Sequence, residues 1–498
     1  MSVSFNNIPA AIRVPLFYAE VDNSQAGYFE QNLKTLLIGQ KLAAGSAAAN
    51  TPMLVSRTDE ARSLFGQGSM LARMHEIYRN NDDFGEVWCV ALDDAAAGVV
   101  ATGSVAITGT AIAAGALNLY IGAQRVQLAV AANETAASVA TALAAAINAN
   151  AELPVTAEAA AGTVTLTSKH KGEAGNAIRL QLNYRGTAGG ESTPSGLGVV
   201  ITAMAGGATN PDLTAALAAL GDEEYDFIIQ PWTDTATLDA FAALMGDTTG
   251  RWSWSKQLYG HVYTAKPGTL VSIITLTSAR NDQHMTIAGY EAEVPNAPWE
   301  YAAAYGARNA KFIAIDPARP TQTGELTGIL PAPQEKRFLI SERQTLLTNG
   351  AASSYVGGGT VRVERAITTY QKNLWDQSDT SYLDSETLHT LAYVLRNLRY
   401  RITQKYPRHK LANDGTRFGA GQAIVTPKVI RAELAAAYAE MEANGIVENA
   451  ELFAQTLIVE RDSSNPNRLN VLFPPDLVNQ LRVFAVLAQF RLQYPATA

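Results

Sequence analysis

Both ends of this chain are apolar stretches with nothing beside them to pair with, and this limits its folding more than any other feature. Residues 12–21 read IRVPLFYAEV and residues 468–494 read RLNVLFPPDLVNQLRVFAVLAQFRLQY. Chain ends are ordinarily polar and frayed unless they are tied down. β-forming ends that lack an adjacent hairpin partner are suited to adding a strand to another sheet. The residues expected to carry such strands are Ile12, Val14, Leu16 and Tyr18 at one end. At the other they are Val483, Phe484, Val486, Phe490 and Leu492. Two such arms point to a subunit that stitches itself to its neighbours. Docking of the first arm into its own sheet is the plainer alternative.

Length and charge set the frame. A chain of 498 residues should hold two to four domains. It is 47% hydrophobic and 17% charged, against about 25% charged in an ordinary globular chain. Low charge fits a surface buried against copies of itself, and it also fits an alanine-rich enzyme. A net charge of −8 lacks the basic footprint of a nucleic-acid binder. The single cysteine, Cys89, excludes an intrachain disulfide framework and a cysteine-based zinc cage, and points to a reducing compartment. No basic-then-apolar leader opens the chain, and no run approaches the ~18 apolar residues of a membrane span. A soluble protein assembled in a cytoplasm is expected.

The periodicity predicts an interrupted α/β chain. Strand-like TLLI at 35–38, helices over 58–65 and 70–78, and the strand EVWCVAL open the pattern. From 98 to 207 the texture changes to Ala, Gly and Thr with period-2 alternation. Leu117, Leu119 and Ile121 alternate, as do Val126, Leu128 and Val130. Val164 with Leu166, and Ile178, Leu180 and Leu182, give two more strands, with Val139, Leu143 and Ile147 on one helical face between. This reads as an inserted β-rich, solvent-facing module with small-residue hinges. Strand–helix alternation resumes over 212–307, so a wound, mainly parallel sheet is expected. The reading divides the chain into an arm (1–24), a discontinuous α/β domain (25–97 and 208–330), the insertion (98–207), a C-terminal α+β domain (331–470) and a second arm (471–498).

A search for chemistry finds none. There is no GxSxG elbow and no GxxxxGK[ST] loop. Gly66-Gln67-Gly68-Ser69 starts like a dinucleotide fingerprint, but Leu71 stands where the third glycine belongs. The tetrapeptide is better suited to ending one helix and capping the next. The six histidines fall in separate elements without metal-ligand spacing, and Asp282-Gln283-His284 reads as a turn. Asp222-Glu223-Glu224 reads as a solvated loop. Neither an enzyme, a cofactor nor a metal site is expected.

One charge pattern does stand out. Residues 387–413 contain no acidic side chain but carry Arg396, Arg399, Arg401, Lys405, Arg408 and Lys410. Leu391, Val394, Leu395, Leu398 and Ile402 form the apolar stripe of the same helix. In an acidic protein, a local basic helix points to an acidic partner surface. A merely solvated face is the alternative; nucleic acid is disfavoured because stacking aromatics are missing.

The order of features resembles the contractile tail sheath proteins of Mu-like bacteriophages. The resemblance rests on KTLLIG at 34–39, Pro52, Glu60-Ala61, Phe65-Gly66-Gln67-Gly68-Ser69 and EVWCVAL. Towards the other end it rests on residues 391–406, NPNRLNVL at 465–472 and LVNQLRVFAVLAQFRL at 477–492. It spans nearly the whole chain, on texture rather than catalytic signatures. In that family the middle domain is called subtilisin-like, but no protease triad is present here. The resemblance implies a helical homopolymer around a tail tube, with arms exchanged between subunits, the C-terminal domain inside against the tube and the inserted domain outside. The basic helix is then expected to face the tube, a neighbouring sheath subunit being the alternative. It further implies contact with tube, baseplate and tail terminator proteins, with no direct nucleic acid or membrane, in a virion tail. The sheath of a non-viral contractile machine, such as a bacteriocin or secretion system, would share these features. A hydrolase would need an activated nucleophile that the sequence does not offer.

Overall fold

The computed structural model describes residues 13–15, 17, 19, 31–419 and 421–492. The chain divides into two compact units, one of 26–317 with 321–396, the other including 318–320 and the residues from 397 onward. The larger unit opens with β1 (Lys34–Gln40), β2 (Pro52–Leu54), α1 (Thr58–Phe65), α2 (Met70–Asn81) and β3 (Glu86–Leu92). All of β1 after Lys34 is buried, which is why its sequence runs apolar without alternation: a parallel strand is covered on both faces. Between α1 and α2 the glycines act as the sequence suggests. Gly66 and Gly68 take φ of 89° and 77°, a region open to glycine at no steric cost. Ser69 then caps α2, its hydroxyl accepting from the Ala72 N–H. The helix α1 starts on Thr58, with Arg57 at the cap position.

The next stretch contains β4 (Val100–Gly109), β5 (Gly115–Ile121), β6 (Gln124–Val130), α3 (Ala136–Ala149), β7 (Val155–Ala160), β8 (Thr163–Lys171), β9 (Leu180–Leu182) and β10 (Leu197–Ala205). They form an antiparallel sheet in the order β10-β4-β8-β7 and a second, β6-β5-β9. Val139, Leu143 and Ile147 of α3 are buried. Three of these strands, β4, β7 and β10, lie beyond the alternating runs the sequence displays, because Ala, Gly and Thr alternate too weakly to mark them. The module is also fastened rather than loosely hinged. Gln40 Nε2, at the carboxyl end of β1, donates to the Lys171 carbonyl (2.8 Å) and to Asp94 Oδ1 (2.7 Å). The Met70 N–H donates to His170 Nε2 (3.0 Å), and His170 Nδ1 lies 3.1 Å from Asp94. Asp94 is held below the usual carboxylate range by its hydrogen bonds from His170 and the Lys171 N–H, against the opposing effect of burial.

The main pattern resumes with α4 (Thr214–Ala218), β11 (Phe227–Ile229), α5 (Thr235–Met245), β12 (His261–Gly268), α6 (Leu270–Thr277), β13 (Met285–Glu291) and α7 (Pro298–Ile315). The sheet order is β13-β12-β11-β1-β3-β2. Its pairings are parallel except that of β2 with β3. The helix α7 starts on Pro298, whose missing N–H costs nothing there. It approaches the sheet closely at Gly306, where a Cβ would sit 2.4 Å from Ile229 Cδ1. The result is a mixed α/β molecule with several sheets.

Then come α8 (Ile340–Thr348), the hairpin β14 (Ser353–Gly357) and β15 (Thr360–Arg365), and α9 (Ser385–Lys405). The sequence assigns 331–396 to the carboxyl-terminal part, yet these residues pack with the larger unit. The reason is backbone pairing: Gly289 N–H donates to Ala352 (2.9 Å) and Thr369 N–H to Met285 (2.9 Å). The smaller unit holds β16 (Lys410–Leu411), β17 (Ile424–Val425), α10 (Pro427–Ala443), α11 (Ala450–Thr456), β18 (Ile458–Arg461) and β19 (Leu469–Leu472). Ile430, Leu434, Tyr438 and Met441 of α10 are buried, and Tyr438 stacks on Phe453 of α11 with ring centroids 3.7 Å apart.

Candidate assembly surfaces

The C-terminal arm stands in the open. Val483, Phe484, Val486, Phe490 and Leu492 are 69–96% exposed. After β19, the single bridge Leu477 to Val447 is the last strand-type pairing among the described residues. Leaving five large apolar side chains in water costs about 1.5–3 kcal/mol each relative to burial. That places this segment outside the chain's own core. At the other end Val14 is exposed, whereas Ile12, Leu16 and Tyr18 lie outside the described residues.

A small sheet lies in the same unit. β18 and β19 pair antiparallel, Ile458 opposite Leu472 and Arg461 opposite Leu469, in a sheet of two strands. Among the described residues neither strand pairs with a further strand on its outer edge. Ile458, Val471 and Leu472 are 43–58% exposed on it. Asp462 builds the turn. Its Oδ1 accepts from the Ser464 N–H (2.8 Å), the Ser464 hydroxyl (2.7 Å) and the Asn465 N–H (2.8 Å), and its Oδ2 from Asn470 Nδ2 (2.9 Å). These bonds, the Ser464 hydroxyl foremost, hold its carboxyl well below the usual range. The run 462–467 (DSSNPN) is rich in turn-forming residues, but on its own it does not show that a hairpin surrounds it. The apolar alternation of LNVL was the available signal.

The basic helix α9 is less uniform than its sequence. Arg396 does not point outward; it is buried. Its Nη1 lies 2.6 Å from Asp226 Oδ1 and its Nε 3.2 Å from Glu224, while Nη2 donates to the Tyr259 carbonyl (3.0 Å). Asp226 also accepts from the Lys34 N–H (2.8 Å). Burial pushes the Asp226 carboxyl upward despite the opposing pull of Arg396. The sequence reading missed this because Glu224 and Asp226 precede β11, far away in the chain, so Glu224 of the supposed solvated loop serves as a counter-ion. Arg401 is also paired within the chain, hydrogen-bonded to Glu440 and, through Nε, to Asn397 (3.0 Å). Lys405 Nζ lies 2.8 Å from Glu433. Arg399, Arg408 and Lys410 are exposed, with Lys410 donating to Gln422 (3.3 Å). The stripe differs slightly too. Leu388, Ala392 and Val394 are buried, whereas Leu391, Leu395, Leu398 and Ile402 are half-buried.

The residues weighed for chemistry have other employment. Ser69 is an N-cap, and His284 pairs with Asp247 (2.7 Å) while stacking on Trp252. No group of three or more His, Cys, Asp or Glu among the described residues could hold a metal ion. No described helix is long and apolar enough to cross a membrane. The described residues thus give a mixed α/β body with an exposed apolar C-terminal segment and a two-stranded sheet in the same unit.

Comparison with known proteins agrees. Residues 206–369 match the phage tail sheath protein central domain, and residues 377–491 the phage tail sheath C-terminal domain. The chain is 47% identical over 496 residues to the Mu-like prophage FluMu tail sheath protein of Haemophilus influenzae, covering 99% of this chain and all of the relative. The chain therefore belongs to the phage tail sheath family and is of the Mu-like type. Its fold is similar to that of the sheath tail protein from Desulfitobacterium hafniense, with a TM-score of 0.50, 12% identity and coverage of 94% of this chain and 97% of that one.

Proposed function

We propose that this sheath subunit polymerises as a helical tube around a tail tube, assembles in the host cytoplasm, and contracts to drive the tube through the host envelope during genome delivery. The observation that carries the reading is the exposed apolar segment around Val483–Leu492, in the same unit as the two-stranded sheet of β18 and β19. Each arm leaves its own subunit and adds a strand to a neighbour's sheet, with main-chain hydrogen bonds supplying the affinity. A head-to-tail contact of this kind propagates without closing, which makes a helical polymer. The inserted module (98–207) faces outward and the C-terminal part faces the tube, with Arg399, Arg408 and Lys410 the outward-pointing cations of the basic segment. Baseplate and tail terminator proteins bound the polymer at its two ends. Near-rigid subunits swing on their arms, and better lateral packing in the contracted state releases the stored free energy. The chain has no phosphate-binding GxxxxGK[ST] loop, in keeping with contraction that uses no nucleotide.

The test is removal of residues 477–498, with electron microscopy of the purified protein. The truncated chain should stay folded and monomeric while the full chain forms long hollow polymers. Full-length polymers from the truncated chain would end the arm-exchange reading.

A further inference from the structure

Residues 371–379 form a small hairpin that the arm mechanism does not use. At its tip Leu374 is 98% and Trp375 78% exposed, although the loop beneath them is tightly built. Asn373 Oδ1 accepts from the N–H groups of Trp375 (3.0 Å) and Gln377 (3.1 Å), and the Asn373 N–H donates to the Gln377 carbonyl (2.9 Å). At the base, Asn281 Oδ1 accepts from the N–H groups of Gln371 (2.7 Å) and Lys372 (2.9 Å). Asn281 precedes β13, so the hairpin is anchored at the amino-terminal edge of the parallel sheet. A rigid loop that holds a leucine and a tryptophan in water has already met the ordering cost of an interface anchor.

The opposite edge of the same sheet carries a cleft. It has a volume of about 530 Å³ and lies beyond the carboxyl ends of β11 and β12, a size within the ~300–1,000 Å³ that encloses compact ligands. Pro267 and the nearly buried Trp232 lie in its lining beside the polar Asn210, Glu173, Asp234 and Lys266. Glu173 is exposed, a carboxylate suited to accept from an indole N–H. Eight residues of β12 separate the two edges by roughly 26 Å at ~3.3 Å per residue.

We propose that the Leu374–Trp375 tip of one subunit inserts into this cleft on the next copy of the chain, a second subunit–subunit contact independent of the arms. An apolar knob at one end of a rigid body and a cleft at the other form a heterologous pair, which joins copies head to tail without closing. The partner is a second copy because knob and cleft sit on opposite edges of one sheet and the family is one of repeating sheath subunits. The proposal rests on the polymerisation reading above.

The test uses full-length chain with Gln377→Cys, beside the tip, and Ala177→Cys, in the cleft lining, treated with a short bismaleimide after assembly. The native Cys89 is buried and stays silent. A ladder of covalent dimers and higher species is expected from the double variant and from neither single variant. Polymers without a ladder would overturn the knob-in-cleft contact while leaving polymerisation standing; absence of polymers from the unmodified chain would sink both. A companion variant, Leu374→Ser with Trp375→Ser, should keep the thermal midpoint of the monomer yet dissociate from polymers at lower urea. An unchanged dissociation midpoint counts against the contact.

Discussion

Replacing Arg396 with alanine separates a structural arginine from a partner-binding one. The guanidinium neutralises Asp226 and Glu224 and satisfies the Tyr259 carbonyl inside the larger unit. Removing it leaves the Asp226 carboxylate buried without its cation, a loss of about 3–5 kcal/mol. The unit contains about 370 residues, and an unfolding entropy of about 2.1 cal/mol/K per residue gives about 0.8 kcal/mol/K. The midpoint of that unit should therefore fall by roughly 4–6 °C in a calorimetric scan. The pH dependence has a definite sign. Asp226 titrates above its unfolded value, so the folded state binds the proton more tightly and is relatively favoured as pH falls. Loss of Arg396 raises that carboxyl further. The deficit of Arg396→Ala should thus be largest at neutral pH and shrink on mild acidification, as Asp226 takes up a proton. Adding Asp226→Asn, which keeps an acceptor for the Lys34 N–H, should recover most of the loss because the orphaned charge is gone. An unchanged midpoint for Arg396→Ala, together with lost tube binding, would refute this assignment and return Arg396 to the outer face.

The other predictions follow from the same geometry. Gly306→Ala gains about 1 kcal/mol of helix propensity but drives its Cβ into Ile229, so a net loss of about 1–2 kcal/mol is expected in thermal melts; Ile229→Val should relieve part of it, and a stabilised single variant would disprove the close approach. Arg408→Glu with Lys410→Glu should reduce co-sedimentation with purified tubes, as should added salt, without moving the melting midpoint. Unaltered binding would move the tube contact elsewhere. Excising residues 98–207 should lower solubility, because Gln40 and the Met70 N–H lose His170 and Lys171; a well-behaved excision product would show the seam to be dispensable.

What the sequence made legible depended on the range of the interaction. The buried run of β1, the Val139–Leu143–Ile147 face and the Gly66–Ser69 junction are local patterns, and local patterns survive in one dimension. Arg396 failed as a surface residue because its counter-ions come from the approach to β11. The strands β4, β7 and β10 escaped notice because threonine and alanine do not announce which face is inside. Period-2 alternation also marked the module while hiding how it is fastened, since His170 and Asp94 are ordinary polar residues until they meet.

The two-strand sheet of β18 and β19 has a kinetic consequence. A lone pair of strands is marginally stable in water, so in a free subunit this edge depends on the Asp462 turn and on the packing of β18 against α10. If arms are exchanged as proposed, the first arm to land would have to order that edge, whereas later arms would meet sheets already thickened by the strand before them. Growth by arm exchange would then show a lag and a critical concentration, and any preformed edge would act as a seed. A pool of subunits could persist below that threshold and convert rapidly once a seed appeared, so the timing of assembly would be set by the weakness of one hairpin.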